Sequence, residues 1–361
     1  MNVFQKSTYY LSLVFSTLMV YFVFAENPMH LGSIIGYVLV GYILMHLSVK
    51  FKEHKKTMIL MIFLAGLPLV LVKVLAVFKI SGLGFLGISY MTFKLIQIII
   101  EIYDGLIEKP MGPLDYVHFL LFFPALSSGP IDRSRRFLED WKKQRTKDEY
   151  LELAGTGLFR LVLGLFYKLV ISGMVFQQMT SIRYKDFSFF VIYMYLYTAY
   201  LFFDFAGYSL MAVGASNILG IETPMNFNVP FISVDIKDFW NRWHITLSTW
   251  LRDFVFSRIV MRFMRKKIFK KRLTTAMVAY MINMTFMGFW HGITLNYIAY
   301  GFYHGILMAA FEWYQKKSKF YKKNKNKTWY KVISWIITMH LVMFGFLIFS
   351  GKMSEWARKL I

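Results

Sequence analysis

The sequence has no cysteine in its 361 residues. A chain without thiols forms no disulfide, offers no thiolate ligand to a metal ion and contains no cysteine nucleophile. Internal repeats, low-complexity tracts and linkers rich in Pro, Gly or Ser are also lacking. We therefore expect a single domain over residues 1–361, with no thiol of its own to take part in chemistry.

Signatures of metal and nucleotide binding are missing as well. No two of the eight histidines stand three or four residues apart, which is the spacing of ligands on one helix face. The run GLGFLG at Gly82–Gly87 has the glycines of a dinucleotide-binding turn, but the strand and helix pattern that should surround them is lacking. We expect neither a bound metal ion nor a bound cofactor.

Long hydrophobic runs dominate what is present, since 57% of the residues are hydrophobic and 19% are aromatic. About 20 apolar residues cross the roughly 30 Å hydrocarbon core of a bilayer. The sequence therefore predicts an all-α, polytopic integral membrane protein with about ten membrane-embedded helices, some of them re-entrant or interfacial. Eight apolar runs are long enough to cross: Thr8–Ala25, Leu31–Val49, Thr57–Phe78, Leu153–Gln177, Phe187–Val213, Leu273–Leu295, Tyr297–Trp313 and Trp329–Ser350. Two more segments, Leu83–Ile107 and Leu114–Gly129, are interrupted by Lys94, Glu101 and Pro124.

The first run has an alternative interpretation as a cleavable signal peptide. Lys6 precedes it, and Val23–Ala25 is a weak cleavage site.

Acidic residues are scarce, with 20 Asp and Glu against 42 Lys and Arg. Two stretches, Arg262–Arg272 and Lys316–Lys331, carry seven and eight basic residues and no acid. The positive-inside rule predicts both on the cytoplasmic side, so Leu273–Trp313 should be a hairpin that turns near Thr294–Tyr297. Anionic lipid headgroups or an acidic protein partner would suit these loops, whereas nucleic acid is a poor fit to short loops between apolar runs.

The run FWNRWHITLSTWLRDF, Phe239–Phe254, mixes tryptophans with polar residues. On one helix at 100° per residue, it has an apolar stripe beside a polar stripe. The apolar stripe is Trp240, Trp243, Leu247, Trp250, Leu251 and Phe254, and the polar stripe is Asn241, His244, Ser248 and Arg252. Such a helix packs around a polar cavity or lies in the membrane interface. For His244, the alternative is a structural histidine hydrogen-bonded to a neighbouring helix.

A second signal for a cavity precedes this motif. The stretch Phe203–Asp238 has several glycines, two prolines and four acids. Irregular backbone at membrane depth is stable only when protein buries it or when it lines a wet cavity. We expect this stretch to form the wall of such a cavity.

The run MGFWHGITLN, Met287–Asn296, places His291 between two glycines of an apolar segment. An ionisable side chain inside a membrane segment indicates function. Histidine, with an unperturbed pKa of about 6.5, can be neutral and accept a proton, which suits a general base acting on a hydroxyl. A core histidine is the alternative here, and it is the favoured interpretation for His118 and His304, whose neighbours form no polar stripe.

These motifs resemble those of the membrane-bound O-acyltransferases (MBOAT). The resemblance is carried by FWNRWHITLSTWLRD, the downstream FWHG and the upstream FFDFAGYSLMAVGASNILG. Two further stretches, Phe123–Phe137 (FPALSSGPIDRSRRF) and Arg252–Val260 (RDFVFSRIV), resemble the DltB-like branch, which incorporates D-alanine into teichoic acids of Gram-positive bacteria. The resemblance covers nearly the whole chain, although family members usually begin with one more hydrophobic segment.

The resemblance implies helices around a central pore in a Gram-positive plasma membrane. D-Alanine would arrive as a thioester on the phosphopantetheine of a small acidic carrier protein in the cytoplasm. It would leave as an ester on an extracytoplasmic hydroxyl of a teichoic acid, with other membrane proteins of the D-alanylation system as partners. His291 matches the invariant histidine of the family, and His244 matches its second motif histidine. The alternatives are O-acetylation of another extracellular polysaccharide, a transporter or channel without acyl transfer, and a structural scaffold.

A thioester is already activated, so its transfer needs a base for the attacking hydroxyl and a donor for the developing oxyanion. We assign the base to His291 and the oxyanion or positioning role to His244. Asn241 and Ser248 are assigned to positioning the substrate. Without cysteine or a convincing activated serine, direct transfer is favoured over a covalent acyl-enzyme.

A basic amphipathic helix is predicted over Val255–Arg272. The acidic carrier should dock on this helix, and the residues assigned to docking are Ile259, Val260, Arg262, Phe263 and Arg265. A helix that lies on anionic lipid is the alternative.

Overall fold

The computed structural model describes residues 3–78, 84–182 and 187–355, so the start of the run Gly82–Gly87 lies outside the described residues. Most described residues are helical, and the β-type pairing among them is one isolated antiparallel bridge between Phe227 and Trp243. The predicted all-α class is confirmed. The helices are α1 (Val3–Phe24), α2 (Pro28–Lys50), α3 (Lys55–Val77), α4 (Ile88–Tyr103), α5 (Pro113–Leu121), α6 (Ser134–Lys142), α7 (Lys147–Leu165), α8 (Ser172–Ser181), α9 (Phe187–Ile218), α10 (Ile236–Arg242), α11 (Ile245–Leu251), α12 (Ser257–Arg265), α13 (Arg272–His291), α14 (Leu295–Lys317), α15 (Lys319–Asn324) and α16 (Thr328–Phe349).

Five helical segments of the described chain are long and apolar enough to cross a membrane. They are Pro28–Lys50, Lys55–Val77, Lys147–Ser181, Ser188–Ile218 and Thr328–Phe349, while Tyr10–Phe24 is apolar but shorter. The third of these joins α7 to α8 through a π-helical stretch. Each of the ten apolar segments predicted from the sequence overlaps a helix, but the number embedded in the membrane stays a prediction.

The chain divides into two compact units, of which the first comprises Met1–Leu165 and Gly207–Met225. Charged residues that interrupt its apolar runs are buried and hydrogen-bonded. The Lys94 amine donates to the carbonyl oxygen of Phe119 at 2.9 Å, and Glu101 accepts a hydrogen bond from a serine hydroxyl at 3.2 Å. Protein groups rather than lipid therefore surround these charges.

His118 of α5 belongs to the same unit and is fully buried. Its Nε2 lies 2.7 Å from the hydroxyl oxygen of Ser12, and its ring centroid lies 3.9 Å from that of Trp141. These contacts support the interpretation of His118 as a structural histidine.

The prediction of irregular backbone over Phe203–Asp238 is wrong for its first part, because α9 continues to Ile218. The glycines there allow close packing between helices. A Cβ added to Gly157 of α7 would lie 2.7 Å from the carbonyl oxygen of Gly214 in α9, and helices that approach so closely need small residues at the contact. Irregular backbone begins only after α9 and ends at α10.

The second unit comprises Phe166–Ala206 and Asn226–Ile361. Its α13 and α14 are joined by residues 292–294, so the predicted hairpin is present, but its turn comes earlier than the predicted Thr294–Tyr297 and shares only Thr294 with it. Arg272 and His291 are the two ends of α13, which puts them about 28 Å apart at 1.5 Å per residue. His291 therefore lies at the end of the hairpin opposite the basic loops. The prediction of one domain over the whole chain stays a prediction.

Two glycines set the closest approach within the hairpin. A Cβ added to Gly301 would lie 2.5 Å from the carbonyl oxygen of Met284 and 2.8 Å from the Cα atom of Gly288. No side chain fits at these distances, so α13 and α14 pack backbone to backbone at this level.

We predict that Gly301→Leu destabilises the hairpin, because the new side chain must push α13 and α14 apart. Overpacking of this kind costs about 1–3 kcal/mol, so the Tm of the detergent-solubilised protein should fall by several degrees. Gly173→Leu is the matched control, since a Cβ at Gly173 meets no atom within 4 Å. Equal Tm values for the two variants would contradict the close contact.

Candidate active site

Two short helices, not one, carry the tryptophan-rich motif. α10 ends at Arg242 and α11 begins at Ile245, so the predicted continuous helix over Phe239–Phe254 is wrong. Between the two helices, His244 has φ 45° and ψ 51°. This left-handed conformation is uncommon for a residue other than glycine.

Backbone hydrogen bonds on both sides of His244 cause the break. The Ile245 N–H donates to the carbonyl oxygen of Asn226 at 2.9 Å, and the Asn228 N–H donates to the carbonyl oxygen of Arg242 at 3.0 Å. A short extended segment therefore pairs with the motif and replaces the helical hydrogen bonds there.

The apolar residues of the motif are nevertheless buried as predicted. Five of them are at most 6% exposed, namely Trp240, Trp243, Leu247, Trp250 and Leu251, while Phe254 is half-buried. Asp235 caps α10, because its carboxylate accepts hydrogen bonds from the N–H groups of Lys237 and Asp238, both at 2.9 Å. Burial on one side and the cap at the start fix the direction of α10.

His244 is 4% exposed and lies among aromatic rings. Its ring centroid is 4.7 Å from that of Phe205 and 6.3 Å from that of Trp290. Its Nε2 has no hydrogen-bond partner among the described residues, so the alternative of a histidine bonded to a neighbouring helix finds no support at that atom. His244 lies outside the five long spans, and burial, followed by the nearby His291, lowers its pKa to about 3. The ring is therefore neutral at pH 7.

His291 ends α13 and is half-buried against aromatic residues. Its ring centroid lies 4.6 Å from that of Trp290 and 5.0 Å from that of Phe349. Because Trp290 contacts both His244 and His291, the two residues predicted as catalytic meet around one indole ring.

A cavity of about 180 Å³ lies between the motif helices and α13. Asn241 and Ser248, the two predicted positioning residues, both line it. The two histidines predicted as catalytic are not among its lining residues, but Ser248 follows His244 by one helical turn and Met287 precedes His291 by one turn. The remaining lining residues are Lys237, Trp240, Thr249, Leu251, Arg252, Phe256, Tyr280, Asn283, Met284 and Met308.

Asn283 and Lys237 line the cavity but are not among the residues predicted from the sequence. Asn283 is 7% exposed and lies about two turns before His291 in α13. A polar amide in an apolar segment is a signal for function, so it could have been found. Lys237 forms an ion pair with Glu312 and donates to the side-chain oxygen of Gln315 at 2.9 Å. These partners are far along the chain, and no local pattern predicts them.

His304 is fully buried beside the site. Its ring centroid lies 5.2 Å from that of Trp240 and 4.6 Å from that of Tyr300. The ring fills space between residues of the site without lining the cavity, which agrees with a structural role.

Metal ligation has no candidate in the part of the chain that the structure describes, because no group of three His, Asp or Glu side chains could hold an ion there. The expectation of no resident metal or cofactor stays a prediction.

Comparison with known sequences places this chain in a family. A model of the membrane-bound O-acyltransferase family matches residues 104–353, which include both histidines. The chain is 46% identical over 274 residues to the teichoic acid D-alanyltransferase of Bacillus subtilis, covering 75% of this chain and 69% of the relative. It is 43% identical over 331 residues to that of Streptococcus thermophilus, covering 85% and 79%. With the protein of the same name from Lacticaseibacillus rhamnosus, identity is 36% over 367 residues, covering 95% and 90%.

The chain belongs to the membrane-bound O-acyltransferase family. It is an O-acyltransferase and a multi-pass protein of the cell membrane.

We predict that His244→Gln retains more acyl transfer than His244→Ala, because glutamine keeps a hydrogen-bond donor where a neutral imidazole donates. Loss of one oxyanion donor reduces the rate by about 10²–10³-fold, so the alanine variant should fall in that range. Steady-state transfer by the purified variants measures the difference.

Since the pKa of His244 is lowered to about 3, the pH profile of His244→Gln between about pH 5 and 8 should keep the wild-type shape. Equal and complete loss in both variants would instead assign a proton-transfer role to His244.

Proposed function

We propose that the protein transfers D-alanine from the phosphopantetheine thioester of a cytoplasmic carrier protein to an extracytoplasmic hydroxyl of a teichoic acid. Three relatives that align with 75% to 95% of the chain are named teichoic acid D-alanyltransferases. The observation that carries the proposal is the meeting of His244 and His291 around Trp290, next to a cavity lined by Asn241 and Ser248.

The reaction requires one proton transfer and one stabilised charge. The acceptor hydroxyl attacks the carbonyl carbon of the thioester, and the bond from that carbon to sulfur breaks. The hydroxyl proton passes to His291 and then to the leaving thiolate. His244, in the tautomer with a proton on Nε2, donates a hydrogen bond to the developing oxyanion. Base and donor would contribute about 10²–10⁴-fold and 10²–10³-fold in rate.

The cavity suits the pantetheine arm of the donor. Its amide and hydroxyl groups, from Asn241, Ser248 and Asn283, can hydrogen-bond the amides of the arm, while methionine side chains cover the alkyl parts. Arg252 stands at its edge with a side chain that is 58% exposed. Eight residues separate Arg252 from His244, about 12 Å along a helix, so an arm that enters beside Arg252 can end close to His244.

The predicted helix over Val255–Arg272 is wrong beyond Arg265, where α12 ends. The carrier would dock on α12 beside this entrance. Phe256 stacks on Tyr280 of α13 with ring centroids 4.4 Å apart, which holds the start of α12 against the hairpin. Ile259, Val260 and Phe263 are half-buried, whereas the basic residues assigned to docking, Arg262 and Arg265, are exposed. Met261 and Met264 are 56% and 44% exposed and extend the apolar surface. An acidic carrier would find apolar contact and complementary charge on one short helix.

Anionic lipid is a further partner, suggested by the loop Lys316–Lys331. A groove of about 480 Å³ between α14, α15 and α16 adjoins this loop and is lined mostly by apolar and aromatic residues, including Phe320, Trp329 and Tyr330. Acyl chains suit such a groove, and anionic headgroups suit the lysines around it.

We predict that His291→Ala abolishes transfer of D-alanine while the variant still binds carrier, because only the base is removed. Purified protein in detergent, given D-alanyl carrier and lipoteichoic acid, measures the transfer. His340→Gln is the matched control, since His340 lies on the exposed side of α16. Retention of more than about a tenth of wild-type turnover by His291→Ala would contradict the assignment of the base, which should contribute about 10²–10⁴-fold.

We predict that Val260→Asp eliminates carrier binding in a pull-down at moderate salt. A charge inserted at the centre of a protein interface costs about 2 kcal/mol or more. Ile268→Asp is the matched control, because it adds the same charge to the same basic stretch beyond the end of α12. If the helix only lies on lipid, both variants should weaken its attraction to lipid equally, by about 1 kcal/mol per charge. Wild-type carrier binding by a correctly inserted Val260→Asp protein would place the docking site elsewhere.

A further inference from the structure

Four aromatic residues form a rim around the imidazole of His291. The rim consists of Trp290, Tyr297, Tyr300 and Phe349, whose ring centroids lie 4.6, 6.1, 6.1 and 5.0 Å from that of His291. The rings of Tyr297 and Phe349 also contact each other, with centroids 4.8 Å apart. Tyr300 is buried, whereas the other three rings are half-buried together with His291. Four aromatic rings therefore lie beside the imidazole of the proposed base.

Carboxylates are missing from the helices that carry the rim. Residues 254–311 and 313–354 contain no Asp or Glu, so α13 and α16 have none and α14 has only Glu312. Glu312 follows Tyr300 by twelve residues, about 18 Å along α14, and is paired with Lys237.

Other carboxylates of the same unit have partners of their own. Asp204 of α9 pairs with Lys168 at 2.5 Å. Glu355, the acid that follows α16, pairs with Lys352 at 2.7 Å and is 47% exposed at its side chain. Asp238 and Asp253 pair with neighbouring arginines, and Asp235 caps α10.

A D-alanyl group differs from a propionyl group by an ammonium that is two bonds from the reacting carbonyl carbon. Any site that holds this carbonyl beside His291 also holds the ammonium close to the rim. An aromatic face attracts a cation within about 6 Å of the ring centroid, and the attraction grows as water is removed.

We propose that the rim binds the ammonium group of an aminoacyl donor, chiefly through the faces of Tyr297 and Phe349. The inference rests on the proposed function, because it takes D-alanyl thioester as the donor. It assigns to these two residues the selection of an aminoacyl group over a neutral acyl group.

Aromatic residues also gather at membrane interfaces, which would by itself explain rings at the end of a hairpin. An interfacial belt contacts lipid headgroups and does not distinguish between acyl groups. The two explanations therefore differ in donor preference rather than in stability or insertion.

The experiment compares D-alanyl carrier with propionyl carrier, which has the same carbon skeleton without the ammonium. The measured quantity is the ratio of kcat/KM for the two donors. Wild-type protein should prefer D-alanyl, and Tyr297→Leu should lower the ratio by roughly 3- to 30-fold. Tyr297→Phe keeps the π face and should keep the wild-type ratio. Phe349→Leu should lower the ratio as Tyr297→Leu does, which provides a second position should one variant fold poorly.

The outcomes separate the inference from the proposed function. Wild-type protein that transfers neither donor would overturn the proposed function, and this inference with it. An unchanged ratio in both leucine variants, when wild type transfers D-alanine, would overturn the inference alone. Glu355→Gln tests the alternative that the carboxylate of Glu355 binds the ammonium. A wild-type ratio of kcat/KM in this variant supports the rim. If the ratio falls in Glu355→Gln but not in Tyr297→Leu, ammonium recognition belongs to Glu355.

Discussion

Two backbone hydrogen bonds, from Ile245 to Asn226 and from Asn228 to Arg242, determine the form of the site. They end α10 before His244 and start α11 after it, and they hold His244 in a left-handed conformation. Such a conformation costs about 1–3 kcal/mol for a residue other than glycine, so the surrounding packing has to offset it. The direction of the His244 ring, and its contact with the indole that it shares with the second histidine, depend on this pairing.

The second histidine depends on a different constraint, the close contact of Gly288 with Gly301. This contact fixes the register of α13 against α14, so that the start of α14 passes beside the end of α13. Tyr297 and Tyr300 are thereby placed next to His291, each with its ring centroid 6.1 Å from that of the imidazole. Small residues thus control how the aromatic side chains around the proposed base are arranged.

Helix positions follow from the sequence more closely than the site does. The predicted run Leu31–Val49 corresponds to α2 at Pro28–Lys50, because a long apolar run has few alternatives to helix in a membrane. The break at His244 could not be predicted, since it arises from pairing with a segment about twenty residues earlier and leaves no periodic signal. Asn241 and Ser248 were placed on one stripe of a helix that does not exist, yet both line the cavity. The tryptophans of both short helices are buried on the side opposite Asn241 and Ser248. Both helices therefore present their polar residues to the cavity, as the single predicted helix would have done.

The glycines of Phe203–Asp238 led to the wrong prediction of irregular backbone at the start of that stretch. Gly207 and Gly214 indicated irregular backbone, but both lie within α9, where they permit close packing on α7. Glycine lowers helix propensity by about 1 kcal/mol relative to alanine, and a tight helix contact outweighs that amount. Single-sequence reasoning cannot separate the two uses of glycine, because the partner helix is not known in advance.

The scarcity of acids on the helices around the site suits the charges that the proposed reaction involves. A tetrahedral intermediate of acyl transfer carries negative charge on the former carbonyl oxygen, and a carboxylate nearby would oppose it. α13 and α16 have no acid, and the one acid of α14 is distant and paired with Lys237. In the proposed reaction, a neutral, buried His244 would donate to the oxyanion with no carboxylate of α13 or α16 as a competing acceptor. The same scarcity leaves a positively charged substrate group without an ion-pair partner on these helices, so π faces are the remaining attractive surface for it. One feature of composition, the absence of acids from α13 and α16, therefore fits both the charge that would develop in the proposed reaction and the charge that the proposed substrate brings.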